Sequence, residues 1–167
     1  MDLNKLKECL DAIPDFSDKL KNIVNQHNKI LILGNGGSSS IASHIAQDYT
    51  RNLKKHAFTF TDSSQLTCYA NDYSWEDAYK TFLSEVADQE TLVILISSSG
   101  NSMNIVNCAF YCRYNKIPFI TLSGFHAGNK LRRVGGSLLD FWVDSREYLI
   151  VEITHLVLLH SIIDEGI

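Results

Sequence analysis

Cysteine is scarce in this 167-residue chain, and neither a long apolar run nor an excess of positive charge is present. Cys9, Cys68, Cys108 and Cys112 form no CxxC pair, which excludes a disulfide framework or a thiolate metal cluster. Cys108 and Cys112 stand four apart, where a helical face would simply bury them as reduced thiols. No apolar run approaches the length that crosses a bilayer. The opening residues "MDLNKLKECLDAIPDF" lack the basic-then-apolar layout of a secretory signal, so a cytoplasmic protein with no membrane partner is expected. The formal charge of −4 and pI near 5.8 leave no basic stripe for a nucleic-acid backbone. Any anionic ligand must therefore be held locally.

What is present is the balance of an ordinary globular protein, with 45% apolar and 20% charged residues. The length suits one core and is short for two, and no repeat or linker divides it, so a single domain over 1–167 is expected. Leu3, Leu6, Leu10 and Ile13, then Phe16, Leu20, Ile23 and Val24, recur at helical spacing, predicting an N-terminal helical arm over 1–27 that breaks at Pro14. Short apolar runs at 29–34, 56–60, 91–97, 117–123 and 137–143 read as strands. Helical patterns fall at 38–51, 63–69, 74–87, 102–115, 127–134 and 146–165. "DSSQ" (Asp62 to Gln65) and "SWED" (Ser74 to Asp77) look like capping boxes. Apolar strands alternating with helices predict an α/β fold, a three-layer αβα sandwich around a five-stranded parallel sheet, with its core over 29–165. Ligands of such folds bind at the carboxyl edge of the sheet, so the loops after the first and third strands are the informative ones.

Those two loops read "GNGGSSS" (Gly34 to Ser40) and "SSSGNS" (Ser97 to Ser102), and each leads straight into a helix. Glycine lets the backbone approach a ligand, serine donates hydrogen bonds, and a helix start adds free amides with partial positive charge. This is anion-binding equipment without lysine. Neither loop fits the dinucleotide pattern GxGxxG or the Gly-Lys-Ser/Thr ending of a nucleotide P-loop, so no nucleotide cofactor is expected. Either loop alone reads equally well as a capped turn; two matched loops on one edge point to a phosphate ester.

His44 and Asp48, four apart, share one side of a helix and can reach a common atom. Glu152 and His160, eight apart on the last helix, lie about 80° around its axis and roughly 12 Å along it. Glu152 and His155 form a tighter pair, so spacing leaves His155 and His160 competing as the functional histidine.

Taken in order, "LGNGGSSSIASH", "NDYSWEDAY", "ISSSGNS" and "EITHLVLLH" resemble the sugar isomerase (SIS) domain of the phosphoheptose isomerases. The resemblance implies a flavodoxin-like sheet, a homotetramer with active sites between subunits, bound zinc, and conversion of sedoheptulose 7-phosphate to D-glycero-D-manno-heptose 7-phosphate through an enediolate. That reaction serves bacterial lipopolysaccharide or capsule. It carries zinc ligation onto His44, Asp48, Glu152 and His160, and catalysis onto Asp48 as base with His160 as acid partner. Ser97, Ser98, Ser99 and Ser102 would hold the phosphate, with Arg51, which matches the family's arginine only with a shift of one residue. Asn35, Gly36 and Gly37 would line the sugar, Asn71 and Asp72 would meet hydroxyls, and Asp48 and Glu152 would also touch substrate. The chain departs from the family in a shorter N-terminal arm, in Asp48 for a glutamate and in Glu152 for a glutamine. A different reading is a non-catalytic sugar-phosphate module resembling the DnaA initiator-associating protein, which lacks the acidic and histidine ligands; His44, Asp48 and His160 favour the enzyme.

Overall fold

Residues 1–163 are described in a computed structural model of the chain. Five parallel strands, β1 (Lys29–Gly34), β2 (His56–Thr59), β3 (Thr91–Ser97), β4 (Phe119–Ser123) and β5 (Leu139–Trp142), form one sheet in the order β2-β1-β3-β4-β5. The helices are α1 (Leu3–Asp11), α2 (Ile13–Asn25), α3 (Gly37–Arg51), α4 (Ser63–Asp72), α5 (Trp75–Val86), α6 (Met103–Asn115), α7 (Lys130–Val134) and α8 (Tyr148–His160).

The central strands are apolar at nearly every position because both faces of the sheet are covered. Side chains alternate across a strand, so Ile30, Ile32, Ile94 and Ile96 enter one core with residues of α1, α2, α3 and α8. Leu31, Leu33, Val93 and Leu95 enter the other with residues of α5, α6 and α7. The three layers follow. All seven residues of β3 are buried, as the middle strand requires. Strand order reverses between β1 and β3, so the loops leaving these two neighbours open side by side at the carboxyl edge.

At both predicted capping boxes the N-cap half is present: the Asp62 carboxylate accepts from the amides of Ser64 and Gln65, and the Ser74 hydroxyl from that of Asp77. The break in the N-terminal arm falls at Ala12 instead of Pro14. Proline lacks only an amide hydrogen that the first helical turn leaves unpaired, so Pro14 starts α2 instead of ending α1. Helix α4 runs on to Asp72, three residues beyond the predicted end, while α7 and β5 are shorter than their apolar patterns. The predicted last helix loses its first two residues and closes at His160; positions 164 and 165 of that prediction lie outside the described residues.

Candidate active site

Between the loops after β1 and β3 lies a cleft of about 230 Å³, bordered by Asn35, Gly36 and Gly37 on one side and by Ser97, Ser98, Ser99 and Ser102 on the other. The two walls are tied together by Asn35 and Asn104, whose side-chain amides exchange two hydrogen bonds of 2.9 Å. Helices α3 and α6 begin at this cleft, with Gly36 and Ser102 in the N-cap positions, and neither has a side-chain cap. By contrast α4, α5 and α7 are each closed by a side-chain oxygen. Open helix starts leave amides with partial positive charge facing the cleft, and its lining includes no lysine or arginine. The Ser98 hydroxyl is buried without a hydrogen-bond partner. Such a group is costly, about 1–3 kcal/mol, unless a ligand supplies the acceptor. The Ser97 hydroxyl reaches that of Ser102 at 3.3 Å, and Ser99 Oγ accepts from the Asn101 amide.

Glu152 closes the cleft from α8. Its carboxylate lies directly over Gly37, in the space a Cβ at that position would take, so a larger residue there would push the carboxylate aside. Helices α3 and α8 then run side by side in the same direction. Toward their far ends Asp48 stands between two imidazoles: its carboxylate lies 3.0 Å from His160 Nε2 and 3.5 Å from His44 Nε2. The two rings meet edge to face at 5.0 Å between centres. Asp48 is largely buried, with its side chain 18% exposed, whereas His160 at 35% and His44 at 53% open to the surface. The buried Tyr49 hydroxyl donates to the Leu159 carbonyl at 2.9 Å and locks the register of the two helices.

The two candidate histidines of α8 have different surroundings. His155 is fully buried, its Nε2–H donates to the Ser123 carbonyl at 3.1 Å, and burial pushes its imidazole down to about 4, so it is a neutral core residue. The predicted quartet His44, Asp48, Glu152 and His160 does not assemble within the chain. His44, Asp48 and His160 have ligand atoms within 4.8 Å of one another, but Glu152 is two turns away at the cleft. Arg51 ends α3, about 21 Å of helix from Gly37, so it does not reach this cleft. Asn71 and Asp72 also miss it: they are exposed at the end of α4, where the Asn71 amide donates to the Asp72 carboxylate at 3.0 Å. Sequence reasoning missed Asn104, whereas the stretch from Tyr148 to Glu152 was read as lying near the substrate, and Tyr148 does line the cleft. Asn104 follows the serine loop by two residues, a spacing that could have flagged it; Tyr148 leans on Phe125 at 4.8 Å between ring centres.

The SIS domain family matches residues 3–124, well over half the chain. A phosphoheptose isomerase from Fusobacterium nucleatum is 31% identical over 89% of this chain and 77% of its own length. The chain belongs to the SIS domain family, among the phosphoheptose isomerases. A probable phosphoheptose isomerase from Thermoplasma acidophilum is 30% identical over 95% of this chain and 88% of its own. The structure of phosphoheptose isomerase GmhA from Neisseria gonorrhoeae superposes with a TM-score of 0.89 over 97% of this chain and 90% of that one. At 24% identity it shows the shared fold. Among these phosphoheptose isomerases the chain keeps the α/β sandwich with its five parallel strands, and no helix among the described residues is long and apolar enough to cross a membrane.

Proposed function

We propose that this member of an isomerase family converts sedoheptulose 7-phosphate to D-glycero-D-manno-heptose 7-phosphate, for bacterial glycoconjugate synthesis. The observation that carries the reading is Asp48 held between two imidazoles on the same helix pair whose other end borders a serine-lined cleft. The phosphate sits against Ser97, Ser98, Ser99 and Ser102 and the free amides of α3 and α6, while Asn35, Gly36, Gly37 and Glu152 meet sugar hydroxyls. Aldose–ketose exchange needs a proton carried between C1 and C2 and a second proton moved between their oxygens. The Asp48 carboxylate takes the carbon-bound proton, leaving an enediolate, and returns it at the adjacent carbon. His160, hydrogen-bonded to Asp48, handles the proton on oxygen.

The donor chemistry of His44, Asp48 and His160 fits zinc, since two imidazole nitrogens and one carboxylate make a familiar three-ligand set. When bound, the ion would polarise the substrate oxygens. It also draws on Asp48's basicity, so base and ligand compete for one side chain. Metal analysis with and without a chelator decides: apo protein of full activity removes zinc from the account.

The assembly is proposed as a homotetramer with active sites between subunits. Helix α8 is apolar on most sides, and its exposed Leu149 and Val157 flank the site residues. Helix α4, which carries Asn71 and Asp72, buries no residue at all within the chain. The cleft is also below the roughly 300–1,000 Å³ usual for small-molecule sites. A neighbour's Asn71, Asp72 and Arg51 would complete it. The test is incubation with sedoheptulose 7-phosphate while following the aldose, with light scattering for mass. Turnover by a tetramer supports the reading; binding without turnover favours the non-catalytic module.

A further inference from the structure

Outside the cleft, the polar cluster that stands out is centred on Asn129, in the loop between β4 and α7, a buried side chain that the proposed reaction does not use. Its Nδ2 donates to Ser123 Oγ at 3.1 Å and to the carbonyls of Gly124 and His126 at 3.2 and 3.0 Å. Its Oδ1 accepts from the Arg132 amide and caps α7. The loop so fixed supports the serine cradle from behind. Gly124 N–H donates to the Ser98 carbonyl at 2.9 Å, and Leu131 N–H to the Gly100 carbonyl at 2.8 Å. Lys130 N–H donates to the Asn101 side chain at 3.1 Å. Gly100, at φ +63°, turns directly over the Asn129 amide, and a Cβ there would run into it.

We infer that Asn129 is a positioning residue for the phosphate cradle: it fixes the loop whose amides hold Ser98 and Gly100, and so aims the unpartnered Ser98 hydroxyl at the anion. The inference rests on the cradle's role as the phosphate site. Asn129 does not touch the ligand. It acts through the backbone of a neighbouring loop, which is how a buried amide outside the site can set affinity for a group it never meets.

An aspartate at this position separates positioning from structural support. Asn129→Asp keeps the shape beneath Gly100 and the acceptor that caps α7, but turns the donors facing three oxygens into a carboxylate. Affinity for inorganic phosphate and for sedoheptulose 7-phosphate is measured by calorimetry, beside thermal melting, in wild type, Asn129→Asp, Asn129→Ser, Ser98→Ala and the Ser98→Ala/Asn129→Asp double variant. The inference predicts folded variants whose phosphate affinity falls about tenfold or more and whose KM rises with little change in kcat. It also predicts that Asn129→Asp adds little once Ser98 is gone, because both act on one contact. Melting temperatures that fall while affinity and KM stay within twofold overturn it and leave the phosphate site standing. Full additivity in the double variant also overturns it. Wild-type protein that binds neither ligand removes both the phosphate site and the inference.

Discussion

At the amino ends of α3 and α8 the molecule presents neutral donors, backbone amides and serine hydroxyls, with one carboxylate at the margin; near their carboxyl ends it presents a carboxylate between two imidazoles. The first station is made by backbone geometry. Its charge comes from helix starts left without caps, and Ser98 waits there without a partner. The second is made by side chains of α3 and α8, Asp48 and His160 standing 112 residues apart in sequence, held in register by Tyr49. The difference teaches a division of labour under the proposed reaction: backbone geometry would bind, and a few side chains would react.

The comparison breaks most sharply at the reacting end. His160→Ala and Asp48→Asn should each lower kcat by roughly 10²- to 10⁴-fold, the usual worth of a positioned acid or base, with phosphate affinity retained. A parallel fall in affinity, read by calorimetry, would join the two stations into one.

Between them, His155 makes α8 a pH-dependent support. Its folded pKa, about 4, lies below the ordinary value of 6.5, so the unfolded chain binds the extra proton between those values. Its contribution is complete above pH 6.5, is lost as pH falls toward 4 and levels off below; it amounts to about 3 kcal/mol at most. Chemical denaturation at a series of pH values should show this slope, and His155→Leu should flatten it.

At the binding end, Ser98→Ala should raise KM for a sugar phosphate by about 10- to 100-fold, the worth of a hydrogen bond to a charged group, and leave kcat nearly unchanged. An unphosphorylated sugar should not distinguish the two proteins. The smallest effect belongs to the link: Tyr49→Phe leaves the Leu159 carbonyl without its donor and should cost about 1 kcal/mol in denaturant unfolding.

The same division governs how much could be read from the residues alone. The cradle is local, so glycines and serines between an apolar strand and a helix announce it, and the layers follow from strands apolar on both faces. His44 and Asp48 were also legible, four apart on one helix. Their meeting with His160 was legible through the family resemblance and not through spacing, because no periodicity states which part of α8 faces α3; the Tyr49 bond and the core decide that. Glu152 stands apart from that trio within one chain, because a spacing of eight puts it two turns away, at the cleft. Arg51, Asn71 and Asp72 lie away from the cleft of their own chain, at the ends of α3 and α4, and no local pattern states which subunit's cleft they would meet. Asn129 gave no signal, since its partners are carbonyls from folded loops.

The most direct test is conversion of sedoheptulose 7-phosphate in deuterated water, followed by NMR for wild type, Asp48→Asn and His160→Ala. The account predicts that wild type forms the aldose, with protium at C2 where Asp48 returns the proton it took and deuterium where that proton first exchanges with solvent, and that either variant forms almost none, although both still bind the sugar phosphate. Equal rates in all three proteins would contradict it.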